Sequence, residues 1–185
     1  LWGALSFAGG GAKVISVDSP NMVALLNSPL TGSFAFTKDG PGLLTLANPA
    51  STYTGITTLA AGTLSVAMIN AGGVAGNLGQ ASADAGNLVL NGGTLQYTAT
   101  GTTASTNRAF TLMPGTMSTI EVTSASSVLT MSGASASTTG SLTKSGSGTL
   151  MLSGANSFSG TTNITGGSLI LANPLALQYS TLNLT

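Results

Sequence analysis

The sequence predicts an all-β protein coiled as a parallel β-helix, a β-solenoid of stacked rungs, and three observations carry that prediction. Short runs with aliphatic residues two apart recur along the chain, each bounded by Gly, Ser or Asn. No segment sustains apolar residues at spacings of three and four, and Glu, Lys, Arg and Gln are scarce. Finally, the text repeats. Residues 36–67 align with 142–172 at an offset of 106 up to Leu46 and 105 from Tyr53 onward, and 11 of 26 paired positions are identical. Among the identities are Thr37/Thr143, Lys38/Lys144, Gly40/Gly146, Gly42/Gly148, Leu46/Leu152, Gly55/Gly160, Gly62/Gly167 and Leu64/Leu169. Successive strands lack the tight two-residue turns of hairpins, so rungs that stack are favoured over a sandwich or a propeller.

Taken in order, residues 1–35 align with 106–140 at the same offset, with Ile15/Ile120, Val17/Val122, Ser19/Ser124 and Val23/Val128 matched. The period of about 105 residues thus covers the chain, which holds roughly 1.8 units and reads as one segment, 1–185. After the first copy come strands at 87–90 and 94–97 around the turn Asn91-Gly92-Gly93. The second copy predicts strands at 149–152, 162–165 and 168–171, with Leu150, Leu152, Phe158, Ile164, Leu169 and Leu171 inward and Thr149, Ser153, Thr165 and Ser168 outward. Gly146, Gly148, Gly160, Gly166 and Gly167 fall at corners, and Asn156 is a turn residue expected to bond its own backbone and stack on polar neighbours. Assuming five rungs of about 21 residues per unit, the chain makes about nine rungs, a rod of roughly 40 Å at ~4.8 Å per rung.

Composition narrows the function. Charged residues make up 4% of the chain, against roughly 25% in ordinary soluble domains, and the net charge is zero. Such a chain has no field to attract nucleic acid. There is no Cys and no His, so neither disulfides nor thiolate or imidazole metal sites exist. Residues 40–83 are uncharged, but Gly, Pro, Asn, Ser and Thr break every apolar run well short of the roughly 18 residues a transmembrane helix needs, so no transmembrane segment is expected. The chain begins and ends in mid-repeat and reads as part of something longer.

The second copy, GSGTLMLSGANSFSGTTNITGGSL from Gly146 to Leu169, resembles the autotransporter-associated β-strand repeat, also called the passenger-associated transport repeat, whose pattern is close to GxGTLxLxGxNxYxGxTxIxxGxL. Phe158 stands where the pattern has Tyr, Leu43 replaces Thr in the first copy, and Asn48-Pro49 departs from its Gly-Ala-Asn corner. The resemblance implies a right-handed parallel β-helix in the exported part of a bacterial surface protein, extracellular or outer-membrane associated, where such repeats form the shaft.

Candidate chemistry is sparse. Ser141-Leu-Thr-Lys144 fits S-x-x-K, but that reading needs a helix to set Lys beside Ser and an S-D-N element that the sequence lacks. The first copy has Ala35 for Ser141, so the shared feature is a turn lysine, read as a solvated residue that discourages edge pairing. Asp18, Asp39, Asp84 and Glu121 are too scattered for paired-carboxylate hydrolysis or calcium ligation. Asn163-Ile-Thr165 and Asn183-Leu-Thr185 fit the N-glycosylation pattern, which Thr-rich text meets by chance, and Trp2, Tyr53, Tyr97 and Tyr179 read as packing more than as sugar platforms. No catalytic, cofactor or metal residues are assigned. The expected role is a structural shaft without catalysis. Its partners would be covalent continuation of the same solenoid or end-to-end stacking with another copy, for which the phase gap of about 25 residues is near one rung. The alternative is an adhesin whose lateral face binds a glycan or surface protein.

Overall fold

The computed structural model describes the backbone of Leu5–Ser6 and all of residues 11–184. Trp2 and Thr185, each part of a sequence expectation, lie outside them. The chain opens with β1 (Leu5–Ser6), β2 (Lys13–Ser16), β3 (Val23–Leu26), β4 (Leu30–Thr31), β5 (Phe36–Asp39), β6 (Leu43–Leu46), β7 (Thr57–Leu59) and β8 (Thr63–Val66). A long turn then leads to β9 (Leu88–Leu90), β10 (Thr94–Tyr97), β11 (Thr103–Thr106), β12 (Thr111–Leu112), β13 (Met117–Val122) and β14 (Val128–Met131). The second copy supplies β15 (Ser141–Ser145), β16 (Thr149–Leu152), β17 (Thr162–Ile164) and β18 (Ser168–Leu171), and β19 (Leu182–Leu184) follows. Helix among the described residues is confined to one three-residue 3-10 turn, Ala85–Asn87, which displaces the start of β9 from the expected Asn87 to Leu88.

Every strand pair is parallel. The spine is an eight-stranded sheet, β3-β6-β8-β10-β13-β15-β17-β19, with a strand from each turn of the coil. Beside it lie a five-stranded sheet, β2-β5-β7-β9-β12, in the first half, and a four-stranded sheet, β11-β14-β16-β18, in the second. The coil therefore has about eight turns, close to the nine expected, and at ~4.8 Å per turn it is a rod of roughly 40 Å.

Alternation explains which residues build it. Only one face of each sheet is covered, so inward positions are aliphatic while outward ones stay polar. Leu44, Leu64, Leu95 and Ile120 stack turn upon turn in one buried column, and Leu46, Val66, Tyr97 and Val122 in the next. Their outward neighbours Thr63, Thr94, Thr119 and Thr143 form a threonine ladder in the same register. Aromatic pairs plug the third side: Tyr53 stacks on Phe34 at 5.5 Å in the first copy, and its counterpart Phe158 packs on Phe110 at 6.5 Å in the second. Leu150, Leu152 and Phe158 are buried as expected. Ile164 and Leu169 are only partly covered, and Leu171 is 44% exposed, because no turn lies above β18 here to close the cross-section.

The two copies occupy different sides of the coil. Lys38 sits on β5 in the five-stranded sheet, whereas Lys144 sits on β15 in the eight-stranded one. Lys38 faces Leu59, Leu59 faces Leu90 and Leu90 faces Leu112, which is three turns. The bridge from Phe110 to Ser135 makes the fourth, and β15 follows one side later. The unit is thus four turns plus one side, not the five turns that division by about 21 residues gave. Turn length is the reason: Val23 to Leu43 is a step of 20 residues, but Thr63 to Thr94 is 31 and Thr94 to Thr119 is 25.

Candidate functional site

The residues that matter most chemically are cations turned inward. In β5 and β15 the inward parity falls on Phe36 and Lys38, and on Leu142 and Lys144. Both lysines are 0% exposed, which corrects the reading of them as solvated edge guards. Each stands in an apolar column, Lys38 between Ile15 and Leu59 and Lys144 between Ile120 and Ile164. A buried ammonium is tolerated only when its donors are used. Lys38 Nζ donates to the carbonyl oxygens of Asp39 (2.7 Å), Gly40 (2.7 Å) and Ala61 (3.2 Å). Lys144 Nζ donates to those of Ser145 (2.6 Å), Gly146 (3.0 Å) and Gly166 (3.0 Å). Two carbonyls in each set belong to the lysine's own corner and the third to the corner one turn on. Gly40 and Gly146 both have φ of +73°, a conformation that only glycine adopts at no cost and that carries the chain round this corner. Burial pulls both lysines below their usual 10.5, opposed at Lys38 by Asp39 and Asp18 and at Lys144 by Glu121. These four-atom clusters clamp consecutive turns in register.

Arg108 plays the same part for the long turn between β8 and β9. Its side chain is buried, with Nε donating to Asn70 O (3.0 Å), Nη2 to Gly79 O (2.8 Å) and Nη1 to Ala81 O (3.3 Å). Burial pulls its pKa below the ordinary arginine value and raises that of the fully enclosed Tyr53 hydroxyl, bonded to Thr57 Oγ1 at 2.7 Å, to about 12. Three of the chain's four cations are therefore spent inside, on backbone carbonyls. Asn156 is also buried, and bonds the turns below and above it instead of its own backbone: Ser135 N–H donates to Oδ1 (2.8 Å) and Nδ2 donates to Ala176 O (3.0 Å). Ser51 holds the matching place in the first copy, where Oγ accepts from Leu30 N–H at 3.1 Å.

The other candidates do not assemble. Ser141 and Lys144 lie on one strand with opposite parity, so Ser141 points outward and Lys144 inward. Asp18 and Asp39 act on Lys38 through their charges, while its Nζ bonds only backbone carbonyls, and among the described residues no three acidic side chains gather as metal ligands. Tyr53 and Tyr97 are core residues, whereas Tyr179 is 62% exposed. Asn163 and Asn183 stack on each other, Nδ2 to Oδ1 at 3.1 Å. No described helix is long and apolar enough to cross a membrane.

A coil of parallel strands, held by a corner cassette that recurs with its lysine and glycines, defines a β-solenoid repeat protein. The family described as passenger-associated-transport-repeat matches residues 36–66 and 142–171, so the chain carries two repeats of that family at the two cassettes. It is 42% identical over 158 residues to the "Adhesin BmaC autotransporter" of Brucella suis biovar 1 (strain 1330). That match covers 84% of this chain, which spans about 4% of the relative's length. No solved structure matches. The repeat and the relative liken this chain to the passenger of an autotransporter and point to export to the cell surface.

Proposed function

We propose that residues 1–185 form one continuous length of a rigid extracellular shaft, with no catalytic role. The observation that carries this reading is the unbroken eight-stranded parallel sheet, in which every turn is hydrogen-bonded to the next, with buried lysines bracing the junction at each cassette. Stacked turns hold one another in order through the ladder, each by its contacts with its neighbours. The apolar residues left uncovered at one end, Leu171, Leu182 and Leu184 among them, call for another turn above, supplied by covalent continuation or by end-to-end stacking with a second copy. The far greater length of the relative favours continuation.

A second reading, that a lateral face binds a glycan or surface protein, is favoured by the relative's description as an adhesin. The two separate on a glycan array and a host-cell binding assay with this chain. A shaft gives no saturable signal in either; specific, saturable binding that a lateral-face substitution removes would replace the shaft reading with the adhesive one.

A further inference from the structure

The chain contains no Cys and six Met, so methionine carries all the sulfur that an oxidant can meet. Met22, Met68, Met113 and Met117 are 36–55% exposed, whereas Met131 is fully enclosed in the core. The parity of β13 sets Met117 on the outer face beside Thr119 and Glu121, while Ser118, Ile120 and Val122 point in. Its thioether is already engaged. Asn163 Nδ2 donates to Met117 Sδ at 3.7 Å, and Asn163 Oδ1 accepts from Asn183 Nδ2 at 3.1 Å.

β13 and β17 are not neighbours, since β15 lies between them. The Met117 side chain therefore reaches over a whole turn, and the contacts from Met117 through Asn163 to Asn183 tie β13 to β19 across four successive turns. A thioether sulfur is a weak acceptor, so the first link of this tie is weak. A sulfoxide is polar, and its oxygen would meet the same donor. An S–O bond of about 1.5 Å and an N–H···O separation of about 2.9 Å close a triangle on the 3.7 Å gap at roughly 110° at oxygen, a direction its lone pairs serve.

We propose that Met117 is an oxidation site whose product fastens the coil. The sulfur lone pair attacks one oxygen of a peroxide and the O–O bond breaks. That oxygen stays on sulfur, and its proton goes to the departing oxygen, which leaves as water; methionine gives up two electrons and the peroxide takes them. The new oxygen then accepts from Asn163 Nδ2 in place of the sulfur. Met117 stands outside the core, so the added polarity costs no burial, whereas at Met131 it would put a polar group inside. An oxidant at this face strengthens the join between turns instead of loosening it. This goes beyond the shaft reading and does not depend on it.

The probe is hydrogen peroxide, applied to the whole chain and followed by peptide mass mapping and by NMR of the Asn163 side-chain amide. Met117 should gain one oxygen while Met131 gains none, and the Asn163 Nδ2 protons should then exchange with water about three- to tenfold more slowly. Met117→Leu keeps an outward apolar side chain without sulfur, so peroxide should leave Asn163 exchange at its untreated value while Met22, Met68 and Met113 are still oxidised. The proposal is overturned if Met117 stays a thioether when those three carry oxygen, or if Met131 is oxidised as fast as Met117. It is equally overturned if Asn163 exchange is unchanged or faster once Met117 is oxidised, or if Met117→Leu shows the same slowing, which would assign the effect to another methionine.

Discussion

Lys38 and Lys144 convert a liability, a full charge inside an apolar column, into three hydrogen bonds each. Lys144→Met keeps the stem but strands three carbonyls, and should cost about 2–4 kcal/mol in denaturant unfolding, with Lys38→Met similar. The pH dependence follows from the same burial. Both lysines lie below 10.5 when folded, so between that lowered value and 10.5 the unfolded chain binds more protons and stability rises with pH. Tyr53 acts oppositely: its pKa of about 12 exceeds the usual 10.0, so the stability it contributes is complete below pH 10 and is lost as pH climbs towards 12. Unfolding free energy should therefore climb towards about pH 10 and fall above it. In denaturation series over this range, the double Lys→Met variant should lose the climb and Tyr53→Phe the fall.

The cassette as an element depends on how closely one turn lies on the next. A Cβ at Gly55 would sit 2.1 Å from Phe34 O, and one at the equivalent Gly160 2.2 Å from Gly140 O. Either glycine changed to alanine should destabilise by about 1–3 kcal/mol, since backbone must move to admit the methyl group. Asn156→Ala leaves Ser135 N–H and Ala176 C=O unpaired in the interior, and a loss of about 2–4 kcal/mol is expected, read from the denaturation midpoint. The repeated glycines are visible in the sequence because any close turn needs them. Asn156 is visible as a corner, but its partners are not, since both lie about twenty residues away and only the stacking brings them within reach.

At the scale of the rod, each turn pairs its backbone only with the turn before and the turn after, so stability is close to a sum of neighbour terms and the ends fray first. Native-state hydrogen exchange should be slowest in β10, β13 and β15 and fastest in β3, β18 and β19. Lys144→Met should lower protection in β17 and β19 and leave β6 and β8 unchanged. Uniform loss along the whole rod would contradict the neighbour-only account. The one-side rotation between cassettes also bears on display: in a tandem array with this spacing, a lateral feature that recurs once per unit advances around the shaft instead of lining up along it.

The sequence by itself determined the strand class, the parallel stacking and the cassette boundaries, because alternation and corner glycines are local signals repeated along the chain. It also contained, unrecognised, the parity that turns the lysines inward: Phe36 and Leu142 each stand two residues before a lysine. A lone charge ordinarily outweighs parity, since its burial is costly unless carbonyls converge on it. The tertiary structure alone decided that they do, that Arg108 fastens the long turn, and that the second cassette lies one side round from the first. Each of these depends on how many residues every turn spends before rejoining the ladder, and that number is set by packing between turns.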